Sequence, residues 1–172
     1  ALPDAQQRFS TATPQQHGAG ADLSYGALRF YGELEIYLNQ LLEKPLSDGH
    51  VHALLLVALY QLLHDKADDF TVVNQAVKAA SFAKPSWAKG LVYGVLRNFL
   101  RQQEKLAVQA AKHEVAQYSY PQWWINALKV QYPERWQEML RVGNTHPPMT
   151  LRVNQRKITT QEYVQLLDRQ GI

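Results

Sequence analysis

The sequence predicts an all-α protein, a helical bundle with one strand and one helix appended. Three observations carry that expectation. Apolar residues recur at three- and four-residue steps through most of residues 21–143. Prolines at 45, 85, 121 and 133 cut the pattern into helix-length pieces. One piece, LLLVALYQLL, is nearly all apolar, which suits only a helix buried on every side.

Taken in order, residues 1–20 are polar with Pro3 and Pro14 and are expected to form a poorly ordered lead-in. Residues 21–43 place Leu23, Ala27, Leu28, Tyr31, Leu34, Leu38, Leu41 and Leu42 at helical spacing, and Lys44-Pro45 ends that helix. Ser47 or Asp48 caps a second helix reaching about His64. The loop DKADD leads into a third, FTVVNQAVKAASFA. Pro85 or Ser86 then opens the longest helix, to about Lys112, which is about 40 Å at 1.5 Å per residue. After the connector HEVAQYSY, Pro121 and Pro133 each start a short helix.

The texture then changes. Gly143-Asn144-Thr145-His146-Pro147-Pro148 reads as a linker, MTLRVN alternates like a strand, and Thr159-x-x-Glu162 is a capping box opening a last helix. A strand and a helix cannot bury their own faces, so residues 144–172 are expected to begin a second unit. Residues 21–143 form the first.

Composition narrows the function. The chain has 172 residues, 46% hydrophobic and 19% charged, enough apolar mass for a core. A net charge of +3 with a pI of about 9.1 permits an acidic partner without requiring one. There is no cysteine, so thiol chemistry and disulfides are excluded. No run of about 18 apolar residues and no signal peptide is present, and the expectation is a cytoplasmic protein with no membrane partner.

One phrase occurs twice. Tyr25-Gly26-x-Leu28-Arg29 returns as Tyr93-Gly94-x-Leu96-Arg97, with aromatics following at Phe30 and Phe99. Glycine inside a helix is unfavourable by about 1 kcal/mol, so both glycines are expected at tight helix crossings and both leucines in the core. The arginines differ between copies. Steps of four from Lys89 give Tyr93, Arg97, Arg101 and Lys105, a basic ridge with one aromatic, opposite a core stripe of Leu91, Val92, Val95, Leu96, Phe99 and Leu106. In the first copy the same steps give Tyr25, Arg29, Glu33 and Tyr37, which is neutral. Such a ridge suits a phosphate backbone with a ring to stack, although a solvated helix face has the same pattern. Lys78 and Lys84 nearby, with Arg152, Arg156 and Lys157 downstream, bring the RNA-facing reading level with the solvated face.

Other constellations are weaker. His50-x-His52 would point about 200° apart on a helix, so no metal is expected. Asp65, Asp68 and Asp69 suit loop solubility and helix capping better than acid–base work. Trp124, Leu128 and Tyr132 form a stripe suited to the core, while Trp123 and Trp136 stay open between packing and base stacking.

LVYGVLRNFLRQ resembles the "GVLR" helix of NusB-like domains. YPQWWINALKVQYPERW followed by NTHPPMTLRVN resembles the segment joining that domain to the catalytic part in the Sun/RsmB (Fmu) family of 16S rRNA cytosine-5 methyltransferases. VALYQLLHDK and VNQAVKAA fit the same family, and the likeness covers residues 23–172. It implies a NusB-like helical bundle binding 16S ribosomal RNA for an S-adenosylmethionine-dependent enzyme. The final strand and helix would start an α+β RNA-binding subdomain. The chain departs from the family in having no arginine- and alanine-rich first helix, and in Tyr93, where asparagine is more usual.

This family attacks cytosine with a cysteine thiolate, and the chain has none; nor does it carry a glycine-rich strand-to-helix turn for the methyl donor. The expectation is a non-catalytic piece without a cofactor or metal of its own. A protein-interaction module, using an apolar face at Tyr25, Phe30 and Tyr37, is the alternative.

Overall fold

The computed structural model describes residues 12–65, 67–82, 85–145, 148 and 150–171. Parts of the expected lead-in (residues 1–11), Lys84, residues 146–147 of the linker and Met149 of the expected strand lie outside them.

The first helix, α1 (Pro14–Arg29), begins earlier than the apolar spacing indicates. Thr13 and Gln16 close a capping box: Thr13 N donates to Gln16 Oε1 at 2.8 Å, and Gln16 N to Thr13 Oγ1 at 3.3 Å. Pro14 adds a residue pre-set for the first helical turn. Residues 14–20 are therefore helical, a correction to the loose lead-in expected through residue 20.

The single helix expected over residues 21–43 is two. Phe30 leaves the helical region (φ −98°, ψ 16°) and α2 (Tyr31–Leu41) follows as a separate helix. Phe30 stacks on His64 at 3.9 Å between ring centroids, a contact made with a distant helix.

Asp48 caps α3 (Gly49–His64), its Oδ1 accepting from His50 N at 2.9 Å and Val51 N at 3.0 Å. This is the nearly all-apolar segment, and it sits where that composition demands, packed against α1, α2, α4 (Asp69–Ala80) and α5 (Ala88–Ala110). Val51, Leu55 and Leu59 are fully buried. Two histidine–carboxylate contacts latch α3 to α2: His52 Nε2 to Glu35 Oε1 at 2.8 Å, and His64 Nε2 to Glu33 Oε2 at 2.7 Å. Asp68 caps α4, accepting from Thr71 N at 2.9 Å. The core stripe of α5 is buried as its spacing requires, with Leu91 half-buried and Phe99 edge-on to Tyr37 at 5.8 Å.

The connector HEVAQYSY holds one more short helix, α6 (Glu114–Tyr118), closed by Ser119 in the left-handed region (φ 53°). It packs on α2 and on the two helices after it, α7 (Gln122–Gln131) and α8 (Trp136–Gly143). Here a second, smaller core forms from Tyr118, Ile125, Leu128 and Leu140. Trp136 packs against it, whereas Trp123, Trp124 and Tyr132 are exposed. The Trp124–Leu128–Tyr132 stripe thus buries only Leu128.

Thr159 and Glu162 form the expected capping box, opening α9 (Thr160–Arg169), which buries no residue. Residues 150–154 adopt no regular structure, and there is no strand among the described residues. A lone strand leaves its ladder groups unpaired, so alternation by itself does not make one.

Candidate nucleic-acid interface

Helix α5 carries the site. Its buried stripe faces α2, α3 and α4, which turns the opposite side outwards. Lys89, Tyr93, Arg97 and Arg101 are all exposed there, Tyr93 at 53%. Four-residue steps on one uninterrupted helix place them in a row. The fifth expected member, Lys105, is exposed but lies beyond an irregularity. Gln102 departs from helical geometry (φ −120°, ψ 16°), so the step of four does not carry across it.

Asn98 organises this end of the row, its Oδ1 accepting from Arg101 Nη2 at 2.8 Å and also from the Gln102 side chain. Lys89, Arg97, Arg101 and Lys105 have no ion-pair partner among the described residues, so their charge is available to an outside anion.

Two depressions flank Arg97. On one side, Gly94, Asn98, Leu100 and Arg101 join it around a hollow of about 400 Å³. A Cβ at Gly94 would meet nothing within 4 Å. This glycine is not at a helix crossing, contrary to expectation; its missing side chain opens the surface between Tyr93 and Arg97. Gly26, in the first copy of the phrase, behaves as expected, with a Cβ there falling 2.1 Å from Tyr60 Cζ.

On the other side, α5 and α4 form a groove of about 750 Å³ whose lining includes Asp69, Phe70, Val73, Asn74, Tyr93 and Arg97. Phe70, Asn74 and Val77 follow steps of four and three on α4. That spacing was readable, but nothing in the sequence shows that it faces Tyr93. Asp68 also reaches the groove, with its carboxylate engaged in capping α4.

The downstream cations are a separate group. Arg152, Arg156 and Lys157 are exposed, with the Arg156 amide donating to Asn154 Oδ1 at 3.1 Å. Among the described residues, the concave surface there is lined by ones between Leu151 and Thr160, so one segment curves on itself. No described hydrogen bond or ion pair joins these residues to the α5 ridge.

The neutral first copy offers less than its spacing suggested. Tyr37 is buried, and burial pushes its hydroxyl above the ordinary tyrosine range, with Glu33 adding to the shift. Phe30 is stacked inside, leaving Tyr25 exposed at 56%. The aromatic face expected at Tyr25, Phe30 and Tyr37 is therefore not a surface. His50 and His52 turn to Asp48 and Glu35 respectively, and no group of metal-ligating side chains occurs among the described residues. No helix is long and apolar enough to cross a membrane among those residues.

An all-helical body with an unpaired basic ridge is an architecture suited to nucleic acid. The family model described as the NusB family matches residues 2–101, more than half of the sequence, and the chain belongs to that family. A second model, a ferredoxin-like domain of RsmF/B-like methyltransferases, matches residues 120–172. Among curated relatives, "Ribosomal RNA small subunit methyltransferase B" of Pasteurella multocida is 41% identical over 99% of this chain and 37% of its own length. The protein of the same name from Vibrio cholerae is 38% identical over 100% of this chain and 39% of its own. "Probable ribosomal RNA small subunit methyltransferase B" of Coxiella burnetii is 39% identical, over 88% of this chain and 36% of its own. The chain thus spans less than two fifths of the length of these relatives.

Proposed function

We propose that this chain is the ribosomal-RNA-binding region of a small-subunit rRNA methyltransferase. In this reading it positions 16S rRNA for methylation at cytosine carbon 5, in the cytoplasm, by residues outside the chain. Residues 21–143 are the RNA-binding helical body, and residues 144–172 are the linker and the start of an adjoining RNA-binding subdomain. The carrying observation is the row Lys89, Tyr93, Arg97 and Arg101, exposed and without acidic partners among the described residues. Lys105, Arg152, Arg156 and Lys157 add phosphate contacts on the flanks. The names of the relatives supply small-subunit ribosomal RNA and methylation, and the resemblance noted in the sequence supplies cytosine carbon 5.

The chemistry belongs elsewhere in the protein. The chain contains no cysteine, the nucleophile that attack on cytosine carbon 6 would use. S-adenosylmethionine would supply the methyl group. The described residues do not fit it, having no strand and hence no glycine-rich strand-to-helix turn to cradle it. No step of the transfer is assigned to them.

The test is binding to a small-subunit rRNA fragment across a salt series. Affinity should fall with salt by about 0.7 log units per log unit for each phosphate held in single-stranded RNA. Arg97→Glu/Arg101→Glu should weaken binding more than tenfold and flatten that slope, with helicity unchanged because both side chains are exposed. Undiminished binding by the folded double variant would remove the ridge from the interface.

A second reading has one observation in its favour. Tyr120, Pro121, Trp123, Trp124 and Met139 surround an apolar hollow of about 420 Å³, suited to a protein partner rather than to phosphate. Binding there would be nearly insensitive to salt.

A further inference from the structure

The groove between α4 and α5 has a chemistry that a phosphate track does not need. Its floor is apolar, from Val73, Val77 and Leu100, and two aromatic rings, Phe70 and Tyr93, line it from opposite helices. Both rings are exposed, at 76% and 53%, and neither stacks on another ring among the described residues. Asn74 and Asp69 also line the groove, and neither side chain is engaged with another described residue. Arg97 stands at its edge, shared with the hollow beside Gly94.

Each part excludes something. A pure phosphate site has no use for an apolar floor, and two carboxylates at its rim would repel the backbone. A purely apolar partner would leave the Asn74 amide, the Asp69 carboxylate and the Arg97 guanidinium without partners. A nucleotide uses all of them at once. Its base is a flat ring that stacks on aromatics, its edge carries donors and acceptors, and its phosphate is anionic. The volume of about 750 Å³ falls within the range that encloses a ligand of that size.

We propose that this groove takes one unpaired RNA base, stacked on Tyr93 and bounded by Phe70, with its adjoining phosphate on Arg97. The inference rests on the RNA-binding reading above and deepens it. A carboxylate accepts from an exocyclic amino group, and an asparagine amide pairs with the amino and ring-nitrogen edge of adenine. Asp69 and Asn74 therefore select a base bearing an amino group, adenine, cytosine or guanine, over uracil. A base paired inside a duplex cannot enter, so the ligand is single-stranded RNA or an unpaired nucleotide in a loop.

The experiment titrates the 172-residue chain into fluorescently labelled oligoadenylate, oligouridylate and a duplex RNA of equal length, at one salt concentration. Oligoadenylate should bind about tenfold more tightly than the duplex, and oligouridylate should fall between them. Tyr93→Ala should lose about tenfold on oligoadenylate and little on the duplex. Asn74→Ala should narrow the preference for adenylate over uridylate, and Asp69→Ala/Asn74→Ala should erase it, without changing the number of phosphates read from the salt slope. All these side chains are exposed, and circular dichroism would verify that each variant folds. Equal affinity for all three RNAs, unmoved by these variants but still weakened by Arg97→Glu/Arg101→Glu, would overturn the base pocket and leave the phosphate ridge standing. No binding to any RNA would overturn both.

Discussion

A methyl group added at Gly26 would lie 2.1 Å from Tyr60 Cζ, while the same group at Gly94 would meet nothing within 4 Å. Gly26→Ala must therefore push the Tyr60 ring away from its stack with Phe30 and His64, a rearrangement of about 1–3 kcal/mol. Gly94→Ala only removes an unfavourable residue from an exposed helix and should stabilise by about 0.5–1 kcal/mol. Urea unfolding of the two variants should move in opposite directions; a loss of stability at Gly94 would mean a packing role that its surroundings do not show. The repeated phrase did not distinguish these positions. Its leucines divide the opposite way, Leu28 of the first copy being 60% exposed, not in the core as expected, and Leu96 of the second fully buried. Local sequence set both copies in helices, but what lies across from each residue depends on segments far away in the chain. The basic ridge was legible because it needs only one helix and its spacing. The groove partners Phe70 and Asn74 were not, since their meaning comes from facing Tyr93.

Helix starts with a side-chain cap obeyed local rules. The starts expected at Pro85 or Ser86 and at Pro133 fall instead at Ala88 and Trp136, and helix interruptions were not announced locally either. Asp48, Asp68 and the Thr159–Glu162 box all cap helices that their side chains announce. Phe30 and Gln102 break helices with no proline nearby, and the contacts accompanying the breaks are made by side chains: the stack of Phe30 on His64 and the Asn98 hydrogen bonds. The short α6 escaped for a related reason, being anchored by α2 and by a link to α7. In that link Lys129 donates to the Glu114 carboxylate, which also accepts from Gln122 Nε2 at 2.9 Å. The Lys129 hydrogen bond, then that of Gln122, holds the Glu114 carboxyl below its ordinary value of 4.5. A depressed carboxyl stabilises the fold fully above about 4.5, and its contribution disappears as pH falls through the lower folded value. Lys129→Met should return Glu114 towards its ordinary range, read from its carboxyl carbon shift in an NMR titration. An unchanged midpoint would show that the α6–α7 link does not hold in solution.

At the scale of the molecule, apolar packing divides between Ala116 and Tyr118, with a large core before that point and a four-residue core after it. The two family matches leave the same region between them, ending at residue 101 and resuming at 120. Composition and periodicity indicated one helical body reaching residue 143 because α7 and α8 have the same texture as the helices before them. Only side-chain contacts reveal a second core. Beyond α8, the tail adds charge without burial: α9 has no buried residue, and Arg152, Arg156 and Lys157 are exposed. A chain ending at Thr145 should therefore melt within about 2 °C of the full one, since a stability change under about 0.5 kcal/mol moves a domain of this size no further. A fall beyond about 5 °C would mean that the tail packs on the helical body. The same truncation divides the RNA interface. If the ridge carries binding, the shortened chain should keep its sensitivity to Arg97→Glu/Arg101→Glu and lose only the part of the salt slope belonging to the tail, about 0.7 for each phosphate released. If truncation alone removes the salt dependence, the tail cations are the anchor and α5 is a solvated face.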